Sequence, residues 1–131
     1  MGAWDIGSFS NDDALDWLVD LQEEDDLVIL EDAFAAVIEQ KDQLPDASDS
    51  AVAIAAGEVL AALLGSPLED LPEEVREWVP GKPKPENELV QQALEALRIV
   101  ENESELRELW EEVEEFSAWR EEVEGLITRL S

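Results

Sequence analysis

The sequence predicts an all-α protein that folds as a single domain of six or seven helices. Almost every segment places apolar residues three and four positions apart, which is the period of an amphipathic helix. No segment shows the sustained alternation of a strand. Hydrophobic residues make up 45% of the 131 residues, which is enough to build one core. We therefore expect residues 1–131 to form one helical bundle with short connections.

The first two helices are placed by their caps and apolar stripes. The first is predicted from about Asn11 to Gln22, with Ser10 as N-cap and Asp13 closing a capping box. Asn11 is nearly as good a cap. The second helix follows the acidic break "EEDD", and "QLPDASDS" ends it. Its predicted stripe is Leu27, Leu30, Phe34, Val37 and Ile38.

The third helix is predicted to be the buried centre of the bundle. Its segment, "SAVAIAAGEVLAALLG", is rich in alanine and apolar almost all round. Gly65 followed by Pro67 is typical of a helix C-terminus.

Prolines organise the next part of the chain. A short helix is predicted after Pro72 and stops at Pro80, with Val75 and Trp78 turned inward. Residues 80–87 then read as an extended, proline-rich loop that carries two of the lysines.

Three further helices complete the bundle. One ends near Asn102, and Ser104 caps the next. The last has the clearest apolar repeat, which consists of Phe116, Trp119, Val123, Leu126 or Ile127, and Leu130. The inward positions predicted for the second of these are Leu106, Leu109, Trp110 and Val113.

The opening "MGAWDIGSFS" is predicted to be a structural clasp over residues 1–10. Its two glycines permit tight turns, so Trp4 and Phe9 can pack into a groove of the bundle. Phe9 precedes the predicted cap Ser10, which is the position of a hydrophobic staple. The alternative is that these aromatic residues form a ligand site.

The same stretch resembles a known bacterial family. "MGAW" followed by "GSFSNDDALDW" is similar to the start of the proteins grouped as domain of unknown function 4259, which are small and acidic. "EVLAALLG", "LPEEVREWV" and "SELRELWEE" extend the likeness over nearly the whole chain, with Asp5 where the family commonly has a glycine. The resemblance implies the fold but no activity.

Charge limits the partners. The formal net charge is −27, and the first 50 residues hold fifteen acids with Lys41 as their one base. This excess disfavours direct binding to nucleic acids or anionic membranes and favours a basic protein partner. Two readings of the acidity stay open: a binding face, and adaptation of the host to salt. The candidate partner-binding residues are Asp12, Asp13, Asp16, Asp20, Glu23, Glu24, Asp25 and Asp26.

Little in the composition supports catalysis. The chain contains no histidine, cysteine or tyrosine, so it lacks the commonest general base and most ligands for transition metals, and we expect no cofactor. The enzyme alternative is a magnesium-dependent phosphohydrolase, because magnesium accepts carboxylates together with water and needs no histidine. Glu111, Glu112 and Glu115 match the Glu-Glu-x-x-Glu pattern of all-α nucleotide pyrophosphohydrolases, although a match by chance is expected among so many glutamates.

Glu58 interrupts the apolar third helix. A buried carboxylate is costly unless it is paired, so we expect it to accept hydrogen bonds from the opening segment, an indole N–H, or an arginine such as Arg98 or Arg107. The alternative places Glu58 at the edge of the bundle.

The sequence as a whole favours a non-enzymatic, cytoplasmic protein-interaction module, of the antagonist or immunity type, that binds a basic partner. No signal peptide or membrane-spanning run is apparent, and the absence of cysteine fits that location.

Overall fold

The fold is an all-helical bundle, seen in a computed structural model that describes residues 9, 11–68 and 71–131. Over these residues there are seven helices and no strand, which confirms the predicted fold class. None of these helices is long and apolar enough to cross a membrane. The helices are α1 (Asp12–Gln22), α2 (Val28–Ile38), α3 (Ala47–Leu63), α4 (Glu73–Trp78), α5 (Asn87–Asn102), α6 (Glu105–Glu111) and α7 (Phe116–Leu130).

Helix α3 is the centre of the bundle, as predicted. Every residue from Ala53 to Ala61 is buried, and the helix contacts α1, α2, α5, α6 and α7. Its many alanines leave room for neighbours on all sides. The helix begins at Ala47, three residues before the predicted start, because Asp46 caps it by accepting the backbone N–H of Asp49 at 2.8 Å.

Helix α3 ends where the glycine signal predicts. Gly65 has a φ of +90°, which a residue with a side chain rarely adopts. The N–H of Ser66 donates to the carbonyl of Ala61 at 2.8 Å, and that of Gly65 to Ala62 at 3.1 Å. This pair of bonds is the Schellman arrangement.

Helices α2 and α5 make the most extensive helix–helix contact and run in the same direction. The first turns of both line one cleft, and the C-terminal ends of both line another. The side-chain amide of Gln92 also donates to the carbonyl of Glu31 at 3.4 Å, which joins the two helices near their N-termini. Because they are parallel, the chain between them must return along the bundle, and α3 is part of that return.

The start of α1 differs from the prediction. Its N-cap is Asn11 rather than Ser10, because the Asn11 side chain accepts the backbone N–H of Ala14 at 2.8 Å. Ala14 then occupies the third helical position, so Asp13 does not close a capping box.

The predicted clasp lies mostly outside the described residues, and so do its members Trp4 and Ser10. Phe9 is described: it is half-buried and packs against the core. The docking of residues 1–10 onto the bundle stays a prediction.

An aromatic stack joins α6 to α7. The rings of Trp110 and Trp119 lie 6.2 Å apart and nearly parallel, and Phe116 lies 6.1 Å from Trp119. The prediction of an inward Leu109 is wrong, since its residue is 46% exposed. Helix α6 is only seven residues long and turns its Leu106 edge to the core, which leaves Leu109 facing solvent.

A buried ion pair ties α7 to α3. Glu58 is fully buried, and the guanidinium of Arg129 approaches both of its carboxylate oxygens, with Nη1 2.9 Å from Oε1 and Nη2 3.0 Å from Oε2. Nη1 of Arg129 also donates to the carbonyl of Ser66 at 3.1 Å. One side chain therefore holds the C-terminal end of α7 against both α3 and the loop that follows it.

The arginine beside Glu58 is neither of the two named from the sequence. Arg98 is exposed, and Arg107 donates to the carbonyl of Asn102 and faces Glu111 on its own helix. The alternative of Glu58 at the bundle edge is wrong, because no part of the residue reaches solvent.

Gly57 allows close packing and generates a prediction. A Cβ at this position would lie 2.9 Å from Cδ2 of Leu126 and 3.2 Å from Cδ1 of Leu97, and both leucines are fully buried. We expect Gly57→Ala to lower the free energy of unfolding by about 1 kcal/mol, because overpacking outweighs the gain in helix propensity. Gly125→Ala is the matched control: this helical glycine has nothing near its absent Cβ, so alanine should raise stability by about 0.5–1 kcal/mol. Urea unfolding of both variants measures the two signs, and a stabilising Gly57→Ala would contradict the packing.

The buried ion pair generates a second prediction. Arg129→Met should lower the free energy of unfolding by about 3 kcal/mol, because it removes the cation from a carboxylate that water does not reach. Glu58→Gln should lower the free energy of unfolding by less, because water can hydrate the partly exposed guanidinium of Arg129. The double variant Glu58→Leu/Arg129→Met should be more stable than Arg129→Met alone. Denaturant unfolding of the three variants checks this order, and a double variant less stable than Arg129→Met would contradict the pairing.

Candidate functional site

Helix α1 divides into a buried and an exposed side. Its buried side packs against α3 and α4. The opposite side faces solvent and carries two rows of residues spaced four apart, so that each row runs along the helix. The buried residues are Ala14, Trp17, Leu18 and Leu21.

The first exposed row is acidic and consists of Asp12, Asp16 and Asp20. None of the three forms an ion pair or a side-chain hydrogen bond with any residue in the described part of the chain. Asp12 lies in the first turn, where a negative charge favours the helix dipole. Asp20 lies in the last turn, which holds no basic residue, and there a negative charge is unfavourable. The C-terminal end of this row therefore does not serve the stability of α1.

The second exposed row is apolar and consists of Leu15 and Val19. Their exposed fractions are 48% and 56%, which is high for large apolar residues. They are adjacent to the acidic row, so one exposed helix face combines carboxylates with apolar side chains. We call the five residues of these two rows the α1 face. The apolar row is not among the residues predicted from the sequence, although its four-residue spacing outside the buried stripe is visible there.

The acidic residues continue into the loop between α1 and α2. The indole N–H of Trp78 donates to the carbonyl of Glu24 at 2.9 Å, and the ammonium of Lys82 lies 4.5 Å from the centre of the same ring. Asp26 accepts the backbone N–H of Val28 at 3.1 Å and so serves the start of α2. The position of the loop is therefore set by α4 and by α2.

The structure places the eight predicted acids together along α1 and its loop. Asp13 is half-buried and the other seven are exposed. Next to the loop, a recess of about 260 Å³ beside Trp78 and Lys82 gathers carboxylates from two elements. The acids that line it are Glu24, Asp25, Glu74 and Glu77.

The alternative metal site is not assembled on one helix. Glu111 is the last residue of α6, Glu112 is its C-cap, and Glu115 is the N-cap of α7. The Glu-Glu-x-x-Glu pattern thus spans a break between two helices. In the described parts of the chain, no three acidic side chains are grouped so that they could hold a metal ion.

Glu101 is a buried acid whose pKa is perturbed. Burial raises the pKa of its carboxyl, the nearby Glu124 raises it further, and Arg120 opposes the shift. Nε of Arg120 lies 3.4 Å from Glu101 and 3.6 Å from Glu124. This network joins α5 to α7.

A cleft of about 500 Å³ lies between the turn after α2 and the C-terminal half of α5. Lys41 and Arg98 line it together with three acids. Neither basic residue lies in the last turn of α2 or α5, so the helix dipole does not account for them. The three acids are Asp42, Glu95 and Glu103.

Comparison with known proteins supports the resemblance seen in the opening motif. The sequence model of a family described as a domain of unknown function, DUF4259, matches residues 2–122. The match includes the α1 face, the acidic loop and Glu58, whereas Arg129 lies beyond it. No curated protein and no solved structure matches the chain. Because the family model covers most of its length, the chain belongs to the DUF4259 family.

Proposed function

We propose that the protein is a non-enzymatic interaction module that binds a basic protein partner. The binding surface is the α1 face together with the acidic loop of residues 23–26. The proposal also places the protein in the cytoplasm, in keeping with its lack of cysteine.

The observation that carries this proposal is the state of the three carboxylates in the acidic row of α1, which are those of Asp12, Asp16 and Asp20. They are exposed, they do not pair with basic groups in the described residues, and Asp20 is placed where the helix dipole makes it unfavourable. Exposed acids of this kind contribute little to folding. They create a negative potential that speeds the approach of a positively charged partner and orients it.

A protein is a better partner than a nucleic acid or an anionic membrane. Those ligands are polyanions, and a chain with a net charge of −27 would repel them. The apolar row beside the acids also suits a protein surface, because protein interfaces combine a desolvated apolar part with a charged rim.

A matched pair of charge variants tests the proposal. Asp16→Asn/Asp20→Asn/Asp25→Asn removes three charges from the surface, and Glu112→Gln/Glu114→Gln/Glu115→Gln removes three exposed charges from the turn between α6 and α7. The probe is a synthetic lysine- and arginine-rich peptide, with its affinity measured by calorimetry at several salt concentrations. We expect the first variant to bind about tenfold more weakly at low salt and to show a flatter dependence on salt. The control should change affinity less than about twofold.

Two results would contradict the proposal. Equal losses in both variants would mean that the peptide responds to net charge rather than to this surface. A protein that unfolds at low salt and folds only in molar salt would favour host adaptation as the reason for the acidity. Thermal unfolding of the unmodified protein at low and molar salt provides that second measurement.

A further inference from the structure

We infer that the α1 face is a docking site for an amphipathic helix of the partner, with apolar residues three or four positions apart and lysine or arginine alongside them. This inference rests on the proposed function and adds the form of the partner and the role of Leu15 and Val19.

The form of the partner follows from the two rows on α1. Leu15 and Val19 form an apolar ridge along the helix, and the acidic row of Asp12, Asp16 and Asp20 runs parallel to it on the same exposed side. A binding segment must therefore supply apolar side chains along one line and positive charges along a neighbouring line. A basic amphipathic helix has this arrangement, because residues three and four apart lie on one face.

The spacing of the ridge also favours a helix over an extended peptide. Rows of residues four apart form the ridges that pack into the grooves of a second helix. An extended peptide would instead bind most readily by pairing with the edge of a sheet, and the described residues contain no strand.

Charge complementarity excludes a second copy of the chain as the occupant. A symmetric dimer through the α1 face would bring the same surface from both subunits together. The acidic row of one subunit would then lie near that of the other, between two chains of net charge −27. A basic helix meets the same carboxylates with opposite charge.

Two synthetic peptides and two variants test the inference. Both peptides are helical with the same lysine and arginine content; one carries leucines at three- and four-residue spacing, and the other has glutamine at those positions. The protein variants are Leu15→Ala/Val19→Ala and, as a matched control, Leu109→Ala, which truncates an exposed leucine on α6. All three truncated residues are exposed, so circular dichroism should show unchanged helix content.

We expect the unmodified protein to bind the leucine peptide at least about tenfold more tightly than the glutamine peptide. Leu15→Ala/Val19→Ala should remove most of that preference and leave the affinity for the glutamine peptide unchanged. Leu109→Ala should keep the preference.

The outcomes separate this inference from the proposed function. If both peptides bind equally well, and binding is still weaker without the α1 acids, the inference of a docked helix is wrong. The acidic surface would then remain a binding site. If the affinity for the peptides does not change when the α1 acids are removed, both the inference and the proposed function are wrong. A preference for leucine that survives Leu15→Ala/Val19→Ala would place the apolar contact elsewhere and overturn the inference. Analytical ultracentrifugation shows whether the protein dimerises without peptide. Dimerisation that is lost in Leu15→Ala/Val19→Ala would identify a second copy as the occupant and would also overturn the inference.

Discussion

The pairing of Glu58 with Arg129 constrains more of the bundle than any other polar contact that the structure describes. A carboxylate in the middle of a buried helix is stable only with a donor close by, and Arg129 supplies that donor from the far end of the chain. The same guanidinium donates to the carbonyl of Ser66, so one side chain joins α3, the loop after it and the end of α7. Helix α7 therefore has one orientation on α3 that satisfies these groups.

Around this anchor, small residues set the distances between helices. The alanines of α3 and the absent side chain of Gly57 let α5 and α7 approach closely, and the larger side chains of those helices fill the remaining space. Stability thus resides in an apolar interior with few polar groups. The outer side of α1 contributes little to it, which leaves its residues available for contact with another molecule.

Local signals explain which parts of the fold were predictable from the sequence. Ser104 and Gly65 act on neighbouring backbone groups. Ser104 caps the start of α6 and Gly65 follows the end of α3, both as predicted. The partner of Glu58 was not predictable, because Arg129 lies 71 residues away along the chain and only the packing of α7 brings it near. The break between α6 and α7 was also not predictable, so the glutamates at 111–115 matched a pattern on a single helix. The acidic part of the site was visible in the composition, whereas the apolar part required knowing which side of α1 is buried.

The parallel arrangement of α2 and α5 has a consequence for how the chain folds. In an up-and-down bundle each helix packs on the next one, so most contacts are local and folding is fast. Here the largest helix pair joins segments separated by α3 and α4, and a long loop must close before that interface can form. The protein should consequently fold more slowly than an antiparallel bundle of the same size, and the side of α2 that α5 covers would expose apolar surface on the ribosome until α5 has been synthesised.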